Sequence, residues 1–140
     1  MKSRLIIYKI GCWSYILVGL GHLATSLTTP VTPERAKIIQ EMQNFSISMA
    51  GTESNLYLFH EGFSLMMGFL LMGYGLMNLS FIKVIKTPPK SLIFINLVMS
   101  LIALAISINY FFIVPVVFLG IASFSFLMAL ILSNKTVNFS

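Results

Sequence analysis

Charge is what this chain has least of. Lys, Arg, Asp and Glu make up 9% of its 140 residues, whereas 57% are hydrophobic. Soluble domains carry about a quarter charged residues, so this composition excludes a water-facing globular surface and points to a membrane protein of one domain. Cysteine is almost missing as well: Cys12 stands alone, which excludes an internal disulfide and leaves the redox compartment open. Cys12 is not a lipid-attachment site either, because Lys9 occupies the position three before it, where a lipoprotein signal needs an apolar residue. The net charge of +5 raises the question of nucleic acid, but the nine basic residues lie between apolar runs rather than on a shared face. Nucleic acid is therefore excluded as a partner. Also absent are HExxH and HxxxH spacings, a GxSxG elbow and a glycine-rich phosphate loop, which removes the zinc-peptidase, serine-hydrolase and nucleotide-binding classes.

What the chain does have is long apolar runs. Crossing the hydrocarbon core takes about 20 residues of helix. Residues 5–27 form a first run, interrupted by Lys9 and His22. Ala24 and Ser26 resemble a signal-peptide cleavage site, but the run exceeds a signal core and Lys9 sits where a lysine snorkels to the interface, so it reads as a span. Residues 55–82 form the second and carry His60 and Glu61 near their start. Residues 92–132 are almost uninterrupted, twice the length of one span. They must fold back, and the break is expected between Asn109 and Pro115, giving spans over 91–110 and 114–133 with Pro115 opening the last. The fold expected is an all-α bundle of four transmembrane helices.

The one substantial polar segment lies between the first two spans. Thr32-Pro33-Glu34 is a helix start, with a capping hydroxyl, a proline at the first position and an acid in the first turn. A short amphipathic helix is expected over 33–49, with Ile38, Met42, Phe45 and Met49 on one stripe and Gly51 ending it. Such a helix lies flat on the membrane or caps the mouth of the bundle.

Helical periodicity of about 100° per residue sorts each span into faces. Tyr8, Gly11, Tyr15, Gly19, His22 and Ser26 share one face of the first span; Trp13 lies off it and reads as packing. In the second, Tyr57, Glu61, Ser64, Gly68, Met72 and Gly75 share a face, and His60, Met67, Tyr74 and Asn78 form another stripe. Asn96, Ser100, Ala103, Ser107 and Tyr110 share a face of the third, and Ala122, Ser125 and Ala129 a face of the fourth. Small and polar faces turn inward in membrane helices, because they allow close approach and need partners.

Orientation follows from the basic residues. Lys2, Arg4, Lys9, Lys83, Lys86, Lys90 and Lys135 fall on one side of a four-span topology, whereas Arg35 and Lys37 share the other with Glu34, Glu41 and Glu53. A cell (inner) membrane location with both termini cytoplasmic is the expectation. This topology brings His22, His60, Glu61, Asn109 and Tyr110 to the outer ends of their spans. A charge at bilayer depth costs about 2.5–3.5 kcal/mol, so Glu61 is expected to be neutral, paired or facing a polar cavity. The candidate site is an outer-leaflet polar pocket lined by His22, His60 and Glu61, with Tyr57, Ser64, Asn109 and Tyr110 around it.

Four uses of such a pocket stay open. His22 and Glu61 can simply satisfy each other and pin the first span to the second. The pocket can bind a lipid-like molecule, such as an acyl chain or a quinone, or a partner membrane protein in a larger complex, with no cofactor. A desolvated Glu61 with a nearby histidine suits acid–base chemistry on a lipid-soluble substrate, of isomerase or oxidoreductase type, with Glu61, His60 and His22 as catalytic candidates. Finally, His22 and His60 are candidates to ligate a haem or a metal ion, although no metal-binding spacing accompanies them.

The Gly19-Leu-Gly-His22 end of the first span, the outer helical loop, and His60-Glu-Gly-Phe-Ser64 followed by Met-Met-Gly68 in the second resemble the small four-helix bacterial membrane proteins grouped around the DoxX-like families. The resemblance implies a four-helix bundle and carries over no catalytic residue. A more distant likeness is to sterol-isomerase-type bundles, whose usual additional helix and further acids this chain lacks.

Overall fold

The computed structural model describes residues 2–135, with side chains through Ser133. Within them the chain forms α1 (Lys2–Thr28), α2 (Pro33–Asn44), β1 (Ser46–Met49), β2 (Thr52–Asn55), α3 (Leu56–Ile85), α4 (Lys90–Tyr110) and α5 (Ile113–Lys135). The side chain of Lys135 and the polar tail after it lie outside the described residues. Among the described residues, α1, α3, α4 and α5 are long and apolar enough to cross a membrane. The protein is a multi-pass helical membrane bundle.

α1 is its centre. It packs along α3 on one side and α5 on the other, α5 packs on α4, and α3 and α4 stay further apart. Lipid tails are as apolar as leucine, so hydrophobicity does not drive these helices together; close contact and hydrogen bonds must. At α1–α3 the contact is backbone on backbone. A Cβ added at Gly19 would lie 2.6 Å from the Gly68 carbonyl oxygen and 2.7 Å from the Met72 nitrogen, and one added at Gly75 would lie 2.6 Å from the Cys12 carbonyl oxygen. At α1–α5 a large side chain meets a gap: the buried Phe126 ring sits over Gly11 and meets Tyr8 edge-on, with centroids 5.3 Å apart.

Two features of the loop between α1 and α3 depart from the sequence reading. α2 stops at Asn44 rather than running to residue 49, and Gly51 does not end it. Phe45, Ile47 and Met49 alternate with Ser46 and Ser48, a period of two that suits a strand. β1 and β2 pair antiparallel with Met49 opposite Thr52, and Ala50 and Gly51, at φ of +50° and +80°, make the two-residue turn. The stripe of Ile38, Met42, Phe45 and Met49 therefore does not exist as one helical face; Ile38, Phe45 and Met49 are exposed.

The start of α2 is built as its sequence implies. Thr32 Oγ1 accepts from the Arg35 amide. The Glu34 carboxylate is held below its ordinary value of 4.5 by its own backbone N–H and by the Thr32 hydroxyl. A lowered carboxylate stabilises the helix start above pH 4.5, and that stabilisation is lost as pH falls through the lower folded value. Amide-exchange protection in the first turn of α2, corrected for intrinsic rates, should therefore fall on acidification below pH 4.5. Glu34→Gln should remove that dependence, and an identical acid response in the variant would contradict the assignment.

Candidate functional site

Three places inside the bundle bear on function: a buried polar network, a half-buried polar contact and a cavity. The first lies towards the terminal ends. Tyr8 of α1 donates to Asn78 Oδ1 of α3 at 2.7 Å, and the Asn96 amide of α4 donates to Tyr8 OH at 2.6 Å and to Asn78 Oδ1 at 2.8 Å. Tyr74 OH donates to Asn96 Oδ1, and Asn78 Nδ2 donates to the Tyr74 carbonyl at 3.0 Å. One turn along, Tyr15 OH donates to Ser100 Oγ at 3.1 Å, and Ser100 donates to the Asn96 carbonyl. These groups are neutral and mutually satisfied. They bridge α3 and α4 where the backbones do not touch, which makes them a structural core.

The second place lies towards the loop ends, at the α1–α3 contact. His22 Nε2 lies 3.0 Å from the Ser64 carbonyl oxygen and 2.9 Å from Ser64 Oγ, which is itself 3.1 Å from Ser26 Oγ. A carbonyl oxygen only accepts, so Nε2 carries the proton, and in the neutral ring Nδ1 then holds the lone pair. Nδ1 has no partner among the described residues.

The third place is a half-open cavity of about 290 Å³ next to His22. Its walls come from Leu17, Val18, Gly21, His22 and Thr25 of α1, Met67 and Leu71 of α3, Ala103, Ile106 and Ser107 of α4, Phe111 and Phe112 of the connection, and Val114, Pro115 and Leu119 of α5. It occupies the space left where α3 and α4 diverge. The lining is almost wholly apolar. Within it, Ser107 is 1% exposed and its Oγ has no hydrogen-bond partner. Other buried serines of the bundle, Ser14, Ser100 and Ser123, each donate to the carbonyl four residues back. Ser107 forgoes that bond.

Of the residues named from the sequence, the structure joins His22 and Ser64, and only His22 borders this cavity. Glu61 is half-buried and makes no hydrogen bond or ion pair with His22 or His60 among the described residues. His60 is exposed, and Tyr57 is half-buried. Asn109 bonds its own helix at the Ala105 carbonyl, and Tyr110 is 81% exposed. No three His, Cys, Asp or Glu side chains among the described residues are grouped to hold a metal ion. The sequence reading placed Ser107 on an inward face without marking it. Its signal, a hydroxyl one turn before the helix end, is too common to single out. Compared with protein-family models, with curated proteins and with solved structures, the chain matches none.

Proposed function

We propose that this protein binds a lipid-like molecule in the cavity beside His22. The observation that carries this reading is Ser107 Oγ, a buried hydroxyl without a partner in an apolar cavity. Leaving such a group unsatisfied costs about 1–3 kcal/mol, and no lipid tail can supply a hydrogen bond. A ligand with one hydroxyl or carbonyl supplies it once Ser107 Oγ rotates towards the cavity, whose wall also carries His22. A volume of about 290 Å³ is at the small end of ligand pockets, roughly 300–1,000 Å³. It fits one chain end or ring system rather than a whole phospholipid. The acid–base reading, with Glu61 and His60 as its agents, and the haem or metal reading both need those side chains beside His22, and no contact among them supports either.

The membrane placed around this site is the cell (inner) membrane, with both termini cytoplasmic. Lys2, Arg4, Lys9, Lys83, Lys86 and Lys90 support it, because all stand at the terminal ends of the spans, whereas the four acids stand at the loop ends. A DoxX-like relationship remains a proposal resting on residues 19–22 and 60–68.

Mass spectrometry of gently extracted protein tests the binding reading. One small amphiphile should accompany the wild-type chain. Ala103→Phe, which fills the cavity, should lose it, and Ser107→Ala should weaken its retention by about tenfold, the value of one hydrogen bond. Wild-type protein that carries no such molecule, or Ala103→Phe protein that keeps it, ends the proposal; a partner chain in the spectra instead would assign the protein to a complex.

A further inference from the structure

A second concavity lies at the opposite end of the molecule, between α1 and α3. It measures about 520 Å³ and is lined by Leu5, Lys9, Trp13, Leu76, Leu79, Ser80, Ile82, Lys83 and Lys86. Its floor is aliphatic and its rim carries three lysines from two helices. Lys9, Lys83 and Lys86 are all exposed, and none forms an ion pair among the described residues. Nor is an acid within reach, because Glu34, Glu41, Glu53 and Glu61 all belong to the loop end of the bundle. Three cations therefore face one short groove with no counter-charge among the described residues. Trp13, which reads as packing from the sequence, is 52% exposed here. Lys86 adds a backbone oddity: it ends α3 at φ +59°, a conformation that glycine adopts freely and that strains a lysine.

From this combination we infer that the groove is a binding site for one anionic phospholipid, its phosphate among Lys9, Lys83 and Lys86 and an acyl chain along Leu76, Leu79 and Trp13. Charge complementarity selects the headgroup. The terminal end of the bundle is basic throughout, and clusters of this kind beside membrane helices attract anionic lipid. The aliphatic floor selects a lipid over a free anion, since a phosphate in water gains nothing from Leu76 or Leu79. Trp13, one turn further into the first span than Lys9, lines the same groove at the level of the acyl chain. This site is separate from the His22 cavity and does not depend on it.

The chain's single tryptophan reports on the groove directly. Reconstituted into phosphatidylcholine vesicles, the protein is titrated with phosphatidylglycerol or phosphatidylcholine carrying brominated chains, which quench tryptophan on contact. Brominated phosphatidylglycerol should quench Trp13 with an apparent affinity at least about fivefold higher, the increment expected from one lysine near the surface. K83Q/K86Q should bring the two lipids close to parity, whereas K2Q/K90Q, which removes equal charge from the same end outside the groove, should leave the preference in place. Ser80→Phe, which fills the groove with every lysine present, should also abolish it. Equal quenching by the two lipids in the wild type overturns the inference. So does an equal loss in K2Q/K90Q, which would show a diffuse surface potential, or an undiminished preference in Ser80→Phe. Loss of the preference in inorganic phosphate but not in sodium chloride of matched ionic strength would assign the lysines to free phosphate instead. The lysine variants are exposed-site changes, and an unaltered unfolding transition verifies that each is folded.

Discussion

Gly75→Ala is expected to destabilise the bundle by about 2–3 kcal/mol, at the upper end of what overpacking usually costs. The added methyl carbon would stand 2.6 Å from the Cys12 carbonyl oxygen and 2.7 Å from Ile16 Cγ1. A side chain can rotate out of such a contact; a carbonyl in the middle of a helix cannot. α1 and α3 must then separate, and the separation also loosens Gly19 against Gly68, where the tolerance is equally small. Gly73→Ala is the matched control, because a Cβ there meets nothing within 4 Å. It should leave stability unchanged or raise it slightly through helix propensity, by about 1 kcal/mol at most. Equilibrium unfolding by SDS in mixed micelles measures both, and equal behaviour of the two variants would refute a backbone-on-backbone contact.

A loss of similar size should follow Asn96→Leu. Asn96 is 1% exposed, and its amide engages Tyr8, Tyr74 and Asn78 at once. Hydrogen bonds between membrane helices average about 0.6 kcal/mol and reach about 1.7, so removing three predicts about 2–4 kcal/mol. Leucine is the informative replacement because it suits a membrane helix better than asparagine does, and any loss is then due to the orphaned partners. α3 and α4 meet through these side chains, so the loss should show as α4 coming away from α3 while α1–α3 persists. Distances between labels on α3 and α4 would widen in the variant. Unchanged distances and stability would mean that the network is incidental.

The faces of the individual helices were legible because periodicity is a property of one helix. Tyr8, Gly11, Tyr15 and Gly19 are all buried, as are Gly68 and Gly75, Asn96, Ser100 and Ser107, and Ala122, Ser125 and Ala129. What a wheel cannot give is which face meets which. Tyr8, Asn78 and Asn96 stand on three different helices, and only the packing order, with α1 between α3 and α5, brings them together. The same limit affects the expected pocket. Sequence placed His22, His60 and Glu61 at one depth, but depth says nothing about azimuth, and His60 projects from an exposed face of α3. Between α2 and α3, two periodicities overlap in Phe45 to Met49, and the helical reading lost to the alternating one because Ala50-Gly51 supplies a turn that a helix does not need.

The central position of α1 has a bearing on biogenesis. It is made before the other helices of the bundle, and its partner on one flank, α5, is made after them. Until α5 has been made, the side of α1 that carries Gly11 has no Phe126 ring to cover it, and until α4 has been made the Tyr8 phenol has no Asn96 amide. The nascent α1 must therefore wait in the bilayer with these faces open while the helices that cover them are made.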